Sequence, residues 1–90
     1  MKSIHKYKLT IGDELVVEMP EGARLLDVQV QRGEPCLWAL VDTSAPPKKR
    51  HLAIRGTGHA ADGLESVVYV GTFQLQGGGL IFHLFDRDAG

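Results

Sequence analysis

The sequence predicts an all-β fold, a small antiparallel sandwich or barrel of six to seven short strands. Three observations predict it. Apolar residues recur with period two, Gly and Pro interrupt them at short intervals, and no stretch carries the 3.6-residue stripe of an amphipathic helix. At 90 residues the chain is long enough for one core and too short for two, so residues 1–90 read as a single domain.

The first strand is expected over residues 4–11, with His5, Tyr7, Leu9 and Ile11 on one face and Lys6, Lys8 and Thr10 on the other. Gly12-Asp13 turns the chain into a second strand over 14–19, which ends at Pro20-Glu21-Gly22, a fixed φ followed by a residue tolerant of positive φ. Residues 24–31 alternate Leu26, Val28 and Val30 against Asp27, Gln29 and Gln31, which predicts one buried face and one wet face. After Arg32-Gly33-Glu34-Pro35, the run Cys36-Leu37-Trp38-Ala39-Leu40-Val41 is apolar on both faces. That pattern fits a central strand packed from two sides or covered by a second subunit, and it makes a homo-oligomer the expected state. Residues 42–50 are polar and contain two prolines, and read as an exposed loop that delivers Lys48, Lys49 and Arg50 to a strand whose inner face is marked by Leu52 and Ile54. Residues 56–63 form a second long loop. Residues 67–74 and 80–85 make a closing hairpin around Gly77-Gly78-Gly79, and residues 86–90 are expected to fray.

Composition excludes several classes. With 43% hydrophobic and 23% charged residues and a net charge of −1, the chain is neither disordered nor a general DNA or RNA binder, which requires a strongly basic domain. Charges at Lys2 and Lys6 break up any apolar leader, and no segment approaches the roughly 18 apolar residues of a membrane span. A lone Cys36 inside an apolar run packs as a small hydrophobe, in keeping with a reducing, cytoplasmic setting.

Chemistry-bearing groups are few. Gly56-Thr57-Gly58-His59 lies between two strands, where closely spaced glycines let backbone N–H groups converge on an anion. The residues that complete a dinucleotide fingerprint or a phosphate loop are missing, and a plain turn with an exposed histidine is the competing reading. Lys48, Lys49, Arg50 and Arg55 make a basic group suited to phosphate, against the alternative of a charged strand edge that resists aggregation. Trp38 and Tyr69 are candidates to stack on a base, against the usual fate of strand aromatics as core. The histidines lack metal-ligand spacing, neither Cys36 nor Ser66 has an activating base nearby in sequence, and no carboxylate pair is set apart by environment. No metal, cofactor or catalytic residue is therefore expected, and an enzyme is the last choice.

Glu18-Met19-Pro20-Glu21-Gly22-Ala23-Arg24, Val28-Gln29-Val30-Gln31, residues 35–42, Arg55-Gly56-Thr57-Gly58-His59, residues 71–75 and residues 78–83 resemble a widespread family of small, uncharacterised proteins from tailed phages and prophages. The resemblance covers nearly the whole chain and carries no activity to transfer. It implies an accessory protein acting inside a bacterial host cell. The functional expectation is a non-enzymatic, homo-oligomeric binder of an anionic, nucleotide-like ligand that sequesters a host defence signal. In it Lys48, Lys49, Arg50 and Arg55 neutralise phosphate, Arg50 and Arg55 without being needed for folding, Gly56, Thr57, Gly58 and His59 supply hydrogen bonds, and Trp38 or Tyr69 stacks. The alternatives are an inhibitor of a host protein, acting by surface contact or by adding a strand at an open edge, and a minor virion or assembly component.

Overall fold

In the computed structural model, which describes residues 1–89, the chain forms seven strands and one short 3-10 turn. The strands are β1 (Lys2–Lys8), β2 (Glu14–Pro20), β3 (Arg24–Gln31), β4 (Glu34–Asp42), β5 (Pro47–Gly56), β6 (Val68–Leu75) and β7 (Leu80–Asp86). All pairings are antiparallel, in a three-stranded sheet of order β1-β4-β3 and a four-stranded sheet of order β2-β5-β7-β6. The short axis of 16 Å is the thickness of two layers, and the fold is a β-sandwich.

Alternation explains the layers. Leu37, Ala39 and Val41 from β4 and Val28 from β3 meet Met19, Leu52, Ile54, Phe73 and Leu84 from the other sheet, all buried. β4 is the central strand of its sheet, and its second apolar row, Cys36, Trp38 and Leu40, lies on the outer face beside Ile4 of β1. Cys36 is still buried there, next to Lys8, which pairs with Glu34 at 2.8 Å.

Four departures from the sequence reading have physical causes. β1 stops at Lys8, and the Leu9 N–H donates to the Pro35 carbonyl at 2.9 Å, so Ile11 falls in the turn and is exposed. β4 begins earlier, at Glu34, because Arg32 (φ 52°) and Gly33 (φ 79°) make a two-residue turn with both central residues at positive φ, which matches the twist of a hairpin. β5 begins at Pro47, so the basic run belongs to a strand that pairs with β2, with Met19 opposite Lys48 and Glu18 opposite Lys49. In β3 the register shifts between Leu25 and Asp27. This bulge turns Leu25 into the core and Leu26 outward, against the expected alternation.

β6 has a matching bulge between Tyr69 and Gly71. There β3 and β6, the edge strands of the two sheets, approach so closely that a Cβ on Gly71 would lie 3.1 Å from Val28 Cγ1. The chain end, expected to fray, is anchored. Asp86 belongs to β7, the Arg87 N–H donates to the His51 carbonyl at 2.9 Å, and the Asp88 carboxylate accepts from the His51 N–H and contacts its Nδ1, both at 2.7 Å. Gly90 lies outside the described residues.

Candidate ligand cleft

Strand β5 organises every basic candidate, and its alternation separates them. Leu52 and Ile54 face the core, so Arg50 and Lys48 share their side, while Lys49, His51 and Arg55 project from the outer face. Arg50 and Arg55 are also five residues apart, about 16 Å along an extended strand. Lys48, Lys49 and Arg50 therefore sit at the opposite end of β5 from Arg55 and the Gly56–His59 loop.

Arg50 is a structural group. Its Nε and one terminal nitrogen donate to the two oxygens of Asp86 at 3.0 and 2.6 Å, and the other donates to the Ala23 carbonyl at 2.7 Å. The guanidinium is 13% exposed and the Asp86 carboxylate 3%. One side chain thereby joins β5 to β7 and to the chain entering β3 in the other sheet. A guanidinium has five N–H donors. Three are used here, which leaves two. The expectation that Arg50 is dispensable to folding is corrected by this geometry: a charge on a core-facing register position requires a buried partner.

Beside this latch lies a hollow of about 270 Å³ walled by Met19, the Pro20–Ala23 turn, Lys48, Lys49, Arg50 and Asp88. Among the described residues neither Lys48 nor Lys49 has an ion-pair partner. Of the acidic neighbours, Asp86 is held by Arg50, and Asp88 by the backbone and ring of His51, which hold its carboxyl below the usual range. Glu21, which lines the hollow, and Glu18, which stands opposite Lys49 outside it, make no ion pair among the described residues, so the lining itself holds two unpaired lysines and one uncommitted carboxylate.

A second hollow, of about 420 Å³, adjoins the first and shares Gly22, Ala23 and Arg50 with it. Leu25, Leu26, Val68, Tyr69 and Val70 complete most of its wall, at the seam of the two sheets where both bulges lie. Four of the sequence candidates, Lys48, Lys49, Arg50 and Tyr69, therefore line two adjoining hollows, with Arg50 common to both.

The remaining candidates lie elsewhere. Gly56 to His59 forms a tight turn in which the His59 N–H donates to the Gly56 carbonyl at 3.0 Å and the Thr57 N–H to the Ile81 carbonyl at 3.0 Å. Gly58 supplies the positive φ of 86° that the turn needs. Two of the amides expected to converge on an anion are thus spent on backbone carbonyls, and the His59 ring lies over Gly56. Arg55 donates to the Asp13 carbonyl at 2.6 Å and to Glu14 at 3.1 Å, and Arg87 donates to the same carboxylate at 2.7 and 2.9 Å. These bonds, that to Arg87 foremost, hold the Glu14 carboxyl below its ordinary range. Trp38 is on the outer face of the three-stranded sheet, across the sandwich from the outer face that carries Arg55.

Thr57 and Tyr69 do meet, through a residue outside the candidate set. His83 on β7 binds the Thr57 hydroxyl through Nε2 at 2.7 Å and the Tyr69 hydroxyl through Nδ1 at 2.8 Å, with the Thr72 hydroxyl bonded to Tyr69. The Tyr69 ring also packs edge-on against Phe85, with centroids 5.1 Å apart.

A family model described as Domain of unknown function (DUF7352) matches residues 1–90. The chain belongs to the DUF7352 family. No curated protein and no solved structure matches it. Membership in DUF7352 assigns no activity, so the functional reading rests on the cleft. Among the described residues no cluster of three His, Cys, Asp or Glu side chains is arranged to hold a metal, and no helix is long and apolar enough to cross a membrane. In this DUF7352 chain the residues that sequence reasoning missed are Asp86, Asp88, Leu26 and Val68. Asp86 was within reach, because it stands two residues from the buried Leu84 and so shares its inward phase.

Proposed function

We propose that this protein is a non-enzymatic, phage-type accessory protein of the host cytoplasm that binds an anionic, nucleotide-like small molecule and so sequesters a host defence signal. The observation that carries the reading is the pair of unpaired ammonium groups, Lys48 and Lys49, at a hollow floored by a guanidinium with two N–H donors to spare. Arg50 is pre-oriented by the fold, so it binds a phosphate oxygen without losing side-chain freedom, and the lysines add charge. Arg55, tied to Glu14, and Trp38, on the far face, are left out of this version of the site.

The test is isothermal titration with ADP and inorganic pyrophosphate. The expected result is measurable binding that weakens as salt rises and falls about tenfold or more in Lys48→Gln/Lys49→Gln, with an unchanged melting temperature. Binding that is indifferent to both changes overturns the reading.

One observation favours a second reading, contact with a protein partner. Ile4 is 59% exposed beside Leu40 and Trp38 on the uncovered face of the three-stranded sheet. That face suits either a second copy of this chain or a host protein. Light scattering separates the two, since a homo-oligomer shows in the purified protein and a host partner does not.

A further inference from the structure

We infer that the seam hollow is the second half of the ligand site and takes a flat, largely apolar ring covalently joined to the anionic group, which makes the ligand class a phosphorylated heterocycle and not a free phosphate or polyphosphate. This rests on the reading that Lys48 and Lys49 hold the anion. Two observations carry it. The two hollows adjoin at Gly22, Ala23 and Arg50, so the seam is the hollow next to the one that the lysines line.

The seam also exposes apolar surface that the fold does not use. The bulges turn Leu26 outward, 38% exposed, while its neighbour Leu25 packs on the core, and Val68 is 52% exposed next to the packed Val70. Bulges are over-represented at sheet edges and next to sites, where they re-aim a side chain. Val68 of β6 is level with Leu52 of β5 through Asp86 of β7, and Lys48 stands four residues along β5 from Leu52, so its Cα lies roughly 16 Å from that of Val68, a span that the lysine side chain and a nucleotide cover together.

The experiment titrates ADP and inorganic pyrophosphate into the wild type and into Leu26→Asn/Val68→Asn, whose substitutions fall on exposed side chains, with urea denaturation of each protein alongside. The expected result is that ADP binds the wild type about tenfold more tightly than pyrophosphate, the factor that burying on the order of 60 Å² of apolar surface supplies. The variant is expected to lose that preference while binding pyrophosphate as before. Equal binding of the two probes by the wild type, or an unaltered preference in a folded variant, overturns the seam assignment and leaves the anion site standing. Absence of binding by either probe removes the anion site and the inference with it.

Discussion

Arg50 follows the phase of Leu52 and Ile54, and its charge is therefore taken into the end of the core, where Asp86 and the Ala23 carbonyl are its hydrogen-bond partners among the described residues. Removing one partner strands the other. Asp86→Ala is expected to cost about 3–5 kcal/mol, read as a lower urea midpoint, because it leaves a guanidinium mostly out of water with no counter-charge. Replacing both groups, Arg50→Met/Asp86→Leu, is expected to restore most of that loss, since an apolar pair of similar volume avoids the desolvation of two ions. If the double variant is as unstable as the single, the carbonyl contact and not the charge pair is the essential one. Arg55→Ala, by contrast, breaks a half-exposed network with Glu14 and is expected to cost at most about 1 kcal/mol. The charges of the candidate site were plain in the sequence, and so was the phase that sends Arg50 inward. Its partner was not, because Asp86 lies 36 residues away and only the pairing of β5 with β7 brings the two together.

At the scale of elements, the bulge in β3 separates two adjacent leucines that the sequence cannot rank. Leu25→Ala, which empties a packed position, is expected to cost about 2 kcal/mol, and Leu26→Ala, on the exposed bulge residue, under about 0.5 kcal/mol. Equal costs in chemical denaturation would mean that strict alternation, with Leu26 inside, describes β3 better than the bulge. At the partner bulge in β6 Gly71 passes close to Val28, and Gly71→Ala is expected to lose about 1–3 kcal/mol through overpacking. Period two was enough to find every strand and to assign the faces of β1 and the second half of β3. It failed at Leu26 because the register of β3 against β4 shifts between Leu25 and Asp27, which strict alternation does not anticipate. It also misjudged the start of β5, because Pro47 and the lysines look like loop until their register with β2 is known. The separation of Arg55 and the Gly56 turn from the lysines follows from β5 being one long strand, which a loop assignment for residues 42–50 had concealed.

For the whole molecule, three acidic links tie distant parts of the chain at the surface. Glu14 joins β2 to Arg55 and to Arg87 beyond β7, Asp88 clamps the chain end to His51, and Asp42 holds Ser44 and the N-terminus. In each case the hydrogen bonds to the charged form pull the carboxyl below its ordinary value, which is 4.5 for Glu14 and 3.8 for the two aspartates. A depressed native pKa means that the unfolded chain binds more protons in the acid range, so stability falls as pH falls. The contribution is complete above the unfolded-state values and is lost progressively as pH drops through the lower native ones. Urea midpoints are therefore expected to stay level from pH 7 to about 5 and to decline below about 4, with a shallower decline in 0.5 M salt because these groups are solvent-accessible and screened. Glu14→Gln/Asp88→Asn removes two of the three groups, and its profile below pH 4 is expected to be flatter than that of the wild type. A variant that declines as steeply as the wild type would shift the acid sensitivity to Asp42, the remaining one of the three, held by the Ser44 N–H and the N-terminal ammonium.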